Sequence, residues 1–201
     1  NGSPASLTLT GSGSGMLSAA GRNSGPGTNV TSLAKSGAGT WTLSAANTFS
    51  GNTTISNGTL YLNGANSTTN IAVAAGGTLG GSGSARLATA AVAPGGSVEG
   101  GCDGSGSLTL GALNFAGSGT NKIANIGNYT AVAAIIVTNN NGLVPGGGAG
   151  SVTIKLSGAA LGSGTAHLIQ YAGAIGGGGF GAFALDTSEV VGTAARSSFI
   201  L

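Results

Sequence analysis

Charge is scarce in this chain. Lys and Arg number 6 and Asp and Glu 4 in 201 residues, so charged residues make up 5% against roughly 25% in an ordinary soluble domain. Arg22, Lys35, Arg86, Lys122, Lys155 and Arg196 are spread along the chain, so no basic patch for nucleic acid or anionic lipid is expected. Cys102 is the single cysteine, which excludes an intramolecular disulfide framework; in "EGGCDG" it reads as an unpaired thiol in a turn, with pairing to another chain as the alternative. His167 is the single histidine, too few for a zinc site within one chain. The longest apolar run, "AVAAIIV" at 131–137, is far shorter than the roughly 20 residues a spanning helix needs, so no membrane insertion is expected. The opening "NGSPASLTLT" has no basic stretch leading into an apolar core, so no targeting segment is expected within it.

Glycine stands in place of the missing charge. The count of 42 is about three times ordinary usage. Low charge with a mean hydropathy of +0.33 argues against disorder, because disordered chains are polar and charge-rich. Ser, Thr and Asn carry the polarity as neutral groups that bond to one another or to backbone.

These residues recur with a fixed step. Gly39-Thr40-Trp41, Gly58-Thr59-Leu60, Gly77-Thr78-Leu79 and Gly96-Ser97-Val98 lie nineteen residues apart, and Ile55, Val73 and Val92 precede the last three at nearly the same step. Within each unit the period is two. "GTWTLS" puts Trp41 and Leu43 on one face and Thr40 and Thr42 on the other, and "GTLYLNG" repeats this with Leu60 and Leu62. No segment carries a capped helical stripe, so the chain reads as all-β. A unit of about nineteen residues cannot close a core alone but can when stacked on its neighbours, which predicts a parallel β-solenoid over 1–201. Within it, 1–32 reads as N-terminal coils, 33–100 as regular repeats and 101–201 as less regular coils and a closing region. In such a stack an inward charge would often face another, which fits the low charge. An antiparallel sandwich is the alternative, and Asn57-Gly58 between "TTIS" and "TLYL" is the hairpin-like turn that favours it.

The stretch "LAKSGAGTWTLSAANTFSGNTTISNGTLYLNG" at 33–64 resembles the passenger-associated β-strand repeat of bacterial autotransporter-like surface proteins. Leu33, Lys35, Gly37, Gly39, Thr40, Leu43, Ser44, Asn47, Thr48, Phe49, Gly51, Thr53, Ile55, Gly58, Thr59 and Leu60 carry the likeness. "AVAAGGTLGGSGS", "AVAPGGSVEGG" and "HLIQYAGAIGGGGFGAFAL" resemble later parts of such proteins. The resemblance implies a right-handed parallel β-helix displayed outside a bacterial cell. It implies an architecture, not an activity.

Reactive chemistry is sparse. Glu99 and Asp103 lie four apart and Asp186 and Glu189 three apart, and both pairs read as solvated turn residues rather than a glycosidase dyad. "GSGSG", "GGSGS" and "GGGAGS" lack the Gly-Lys-Ser/Thr ending of a phosphate loop and read as turns. No G-x-S-x-G marks a nucleophile, and no cofactor is expected. Trp41, in phase with Leu60, Leu79 and Val98, reads as core rather than as a glycan platform. A non-enzymatic, extracellular structural protein is therefore expected, self-associating end to end into a fibre, sheath or layer. An adhesin-like stalk that binds surface glycans is the alternative, and a polysaccharide-degrading enzyme comes last.

Overall fold

Strict alternation of apolar and hydroxyl residues, broken by Gly and Asn, leaves each short segment with one face to bury and two open edges to pair. In the computed structural model, which describes residues 4–23, 30–102, 104–123, 126–129, 131–159, 163–191 and 196–200, both needs are met by the neighbouring coil. The strands are β1 (Ala5–Leu9), β2 (Gly15–Leu17), β3 (Thr31–Lys35), β4 (Thr40–Leu43), β5 (Thr53–Ile55), β6 (Gly58–Leu62), β7 (Asn70–Val73), β8 (Gly77–Gly80), β9 (Ser84–Val92) and β10 (Ser97–Gly100). They continue as β11 (Leu108–Phe115), β12 (Gly119–Ile123), β13 (Ile135–Asn140), β14 (Leu143–Pro145), β15 (Val152–Ala159), β16 (Ser163–His167), β17 (Ile169–Ala172), β18 (Phe183–Val191) and β19 (Arg196–Ile200). Short 3-10 turns occupy Ile126–Tyr129 and Phe180–Ala182.

Successive strands alternate between two sheets. One runs β1-β3-β5-β7-β9-β11-β13-β17, with β14 also on β11; the other runs β2-β4-β6-β8-β10-β12-β15-β18. β16 and β19 form a separate pair. The strand pairs that build both sheets are parallel. Through β12 each coil thus lends one strand to each sheet, and the chain is a parallel β-helix. The antiparallel sandwich is ruled out at its best evidence: Asn57-Gly58 joins β5 to β6, which lie in different sheets and do not pair.

Register stacks like on like. Thr40 pairs with Thr59 and Thr59 with Thr78, and Trp41, Leu60 and Leu79 follow in the same order. Ser97 and Val98 continue these columns beside Thr78 and Leu79. Beyond β10 the step widens, since Ser97 pairs with Thr120 and Thr120 with Thr153. The inward column of Leu60, Leu79 and Val98 is fully buried, as are Leu43 and Ile55.

Truncating this column removes apolar contacts from the core that the stacked coils share. Leu60→Ala is expected to lower stability by about 2–5 kcal/mol, whereas Thr59→Ala on the outer face should change it by less than about 0.5 kcal/mol. Urea unfolding of the two variants measures the difference, and similar losses at both positions would refute this division of faces.

Candidate functional site

The densest set of specific side-chain contacts lies in coils 33–70, and it begins with a buried cation. Lys35 ends β3 in the inward column between Leu9 and Ile55. Its side chain is fully buried, contrary to the expectation that inward charge is avoided. Its column neighbours Leu9 and Ile55 are uncharged. Its Nζ instead donates to the main-chain oxygens of Ser36 at 3.2 Å, Gly37 at 2.8 Å and Asn57 at 2.9 Å. An ammonium has three protons, so each meets a carbonyl, two in its own turn and one in the next. Burial holds the Lys35 pKa below its usual value.

A second set of contacts ties the far side of the same coils. Asn47 and Asn66 are buried, and Asn47 Nδ2 donates to Ala45 O at 2.8 Å and to Asn66 Oδ1 at 3.1 Å. Asn66 Nδ2 donates to Gly64 O at 2.9 Å, and the Gly21 amide donates to Asn47 Oδ1 at 2.8 Å. Buried Thr53 donates to Thr68 Oγ1 at 3.2 Å, and Thr68 has Gly51 O at 2.8 Å as its acceptor. Phe49 is buried against the core beside these amides. Neutral side chains thus satisfy the buried corners without any charge.

The glycines of the unit sit where a neighbouring coil passes too close for a side chain. A Cβ on Gly39 would overlap the Gly13 carbonyl oxygen, and one on Gly58 would overlap that of Gly39. Gly58 also has φ near 67°, a left-handed value that favours glycine. Trp41 is partly buried against the core; its indole covers Gly15, and its Nε1 donates to Thr10 O at 3.1 Å.

Residues 33–62 match a known sequence family. It is the passenger-associated-transport-repeat. The boundaries of this repeat start at Leu33, which leads into the lysine cage, and end at Leu62, which closes β6. Neither the curated proteins nor the solved structures contain a match to the chain. The family of this repeat implies a secreted or surface location for the segment that carries it. Its geometry turns a motif into parts: a cation for the turn, amides and hydroxyls for the corner, and glycines for close approach.

Outside the repeat, the candidate reactive residues are scattered. Glu99 lies on β10, not in a turn, and Tyr61 donates to its Oε2 at 3.0 Å. Tyr61 pairs with Gly80 in the coil between them, and its ring lies over that glycine, so the missing side chain opens the path to Glu99. The nineteen-residue step from 61 to 80 to 99 was the available signal for this contact. Asp103 lies outside the described residues. Asp186 and Glu189 are on β18, again not in a turn, with Lys155 on the adjacent β15. Lys155 Nζ is 2.6 Å from Glu189 Oε1. The hydrogen bond and charge of Glu189 raise the Lys155 pKa, and the Ser188 hydrogen bonds lower that of Asp186. His167 ends β16. Cys102 is a half-exposed thiol in a tight loop, where its amide and carbonyl bond to Ser105. Among the described residues no group of three or more His, Cys, Asp or Glu side chains is placed to hold a metal.

Two outcomes are expected of this geometry. Lys35→Met fills the same space but strands the Ser36, Gly37 and Asn57 carbonyls, at about 1–3 kcal/mol for each left unpaired; differential scanning calorimetry should show a large fall in Tm, and an unchanged Tm would refute the cage. Tyr129, buried with its hydroxyl donating to Gly100 O at 3.0 Å, has its pKa pushed up to about 12 by burial and by Glu99. The unfolded chain loses this proton near pH 10 and the folded one does not, so the folded state binds more protons in between. Stability should therefore fall from about pH 10 to about pH 12, by roughly 2–3 kcal/mol from this group. Tyr129→Phe should flatten that limb in urea titrations, and an equally steep limb in the variant would rule the tyrosine out as its source.

Proposed function

We propose that this chain is a non-enzymatic structural segment of an autotransporter-like passenger, displayed at the bacterial surface, which associates end to end with copies of itself. The carrying observation is the character of its sheet edges. β1 and β2 bound one end of the two-sheet stack, and β17 and β18 bound the other. Open strand edges are ordinarily blunted by charge, proline or a covering element. Strands β1, β2 and β17 contain no charged residue, and β18 carries Asp186 and Glu189, the latter paired with Lys155. Stacking one end on the other would continue both sheets in parallel register, a heterologous contact that propagates into filaments.

Composition supports the non-enzymatic part. The described carboxylates Glu99, Asp186 and Glu189 are engaged by Tyr61, Ser188 and Lys155 rather than aimed together at a cleft. A lateral glycan-binding role has less support, because the one indole is used to cover Gly15 and reach Thr10.

The edge can be tested without disturbing the pairing behind it. The Ala5 amide donates to Val30 O within the coil pairing, and alternate amides of a strand point to opposite sides, so the Thr8 amide faces the open edge. Thr8→Pro should shorten or abolish filaments in negative-stain micrographs and shift sedimentation toward monomer. Sedimentation of the unmodified protein as a monomer at high concentration would overturn the assembly reading.

A further inference from the structure

Asn57-Gly58, which resembles a hairpin turn in sequence, is placed by the fold in a chemically distinct setting. Three Asn-Gly pairs fall within the described residues: Asn57-Gly58, Asn63-Gly64 and Asn141-Gly142. In the last two, both reacting groups are engaged elsewhere. Asn63 Oδ1 accepts the Ser82 amide at 3.0 Å, and the Gly64 amide donates to Leu43 O at 3.1 Å. Asn141 Oδ1 accepts the Ala174 amide at 2.7 Å, and the Gly142 amide donates to Asn139 O at 3.0 Å. Asn57 differs on both counts. Its side chain is exposed, and its Oδ1 accepts the amide of its own neighbour Gly58 at 2.8 Å. The nitrogen that attacks in cyclisation is therefore held against the carboxamide it would attack.

A third feature is specific to this turn. Lys35 Nζ donates to Asn57 O at 2.9 Å, the carbonyl of the same peptide unit as the Gly58 nitrogen. When that nitrogen loses its proton, the negative charge of the amidate is shared with this oxygen. An ammonium hydrogen-bonded there stabilises the anion as it forms.

We propose that Asn57-Gly58 is a built-in self-modification site, at which the chain cyclises to a succinimide with Lys35 as the charge that promotes it. The Gly58 nitrogen gives its proton to solvent base and attacks Asn57 Cγ. The N–Cγ bond forms, the Cγ–Nδ2 bond breaks, and Nδ2 leaves as ammonia after taking a proton from water. Water then opens the ring. Cleavage on the Cγ side gives aspartate; cleavage on the main-chain side gives isoaspartate. In the second product the carbon that was the Asn57 main-chain carbonyl becomes a free carboxylate, the group Lys35 already holds. The ligand is water alone, and no oxidant or enzyme is required.

The test is site-resolved mass spectrometry of the folded protein held at mildly alkaline pH, with proteolysis after quenching and isoaspartate distinguished from aspartate by fragmentation. Asn57 should convert roughly tenfold faster than Asn63 or Asn141, the ratio that one charge-assisted hydrogen bond supplies. In denaturant the three rates should converge. Lys35→Met should slow Asn57 roughly tenfold while leaving Asn63 and Asn141 unchanged; if that variant does not fold, the folded-against-denatured ratio in the unmodified protein decides. Equal rates at the three sites in the folded protein, or no conversion at Asn57, would overturn the proposal.

Discussion

The Thr59 amide finds its acceptor in Gly39 O, and the Gly39 amide finds its own in Gly11 O. This relay of main-chain hydrogen bonds from coil to coil is the constraint on which the structure rests. A coil of short strands has no partner within itself, so every amide and carbonyl that faces along the stack must be met by a neighbour or by water. Neighbouring strands sit about 4.8 Å apart in the bonding direction, and at that spacing the side chains of equivalent positions touch. Composition follows from this. Columns of Thr or Leu stack well, whereas columns of like charge do not, and the chain is correspondingly poor in charge.

The lysine of the repeat shows how the exception is accommodated. Lys35 stacks between Leu9 and Ile55, so no like charge adjoins it in its column. Its ammonium reaches past the strand end into two successive turns and gathers three main-chain carbonyls. The Asn47–Asn66 and Thr53–Thr68 contacts do the same work at other corners with neutral groups. One coil is thereby pinned to the next by side chains as well as by backbone. The match at 33–62 covers the residues that join one coil to the next.

The backbone architecture was legible because it repeats. The triplets Gly39-Thr40-Trp41, Gly58-Thr59-Leu60 and Gly77-Thr78-Leu79 announced both the alternation and the step, and the register of β4, β6 and β8 follows them residue by residue. What was not legible came from contacts between coils. The inward direction of Lys35 follows from Leu9 and Ile55 as column neighbours, and nothing in "LAKSG" alone states that pairing. Tyr61 reaches Glu99 only because Gly80 intervenes, a relation among three coils. Asp186 and Glu189 read as turn residues because "LDTSEVV" lacks clean alternation; β18 in fact shifts register against β15 there, and such a bulge breaks the period-two signal. Past β10 the step changes, so the rule that served 39–98 has no purchase on the later coils.

A solenoid turn must satisfy its carbonyls and also keep its reactive side chains occupied, and one residue cannot always do both. At Asn63 and Asn141 the side-chain oxygen caps the following coil, which fixes the carboxamide away from its own backbone. At Asn57 the capping is done by Lys35, whose hydrogen bond goes to the main-chain oxygen and leaves the Asn57 side chain to fold back on Gly58. Glycine there is held by the neighbouring coil, since any side chain would collide with the Gly39 carbonyl. The cation that makes the turn stable is thus the same group that polarises its peptide. In this fold, the choice between a lysine cage and an asparagine cap sets both how tightly two coils are joined and how inert their turn remains.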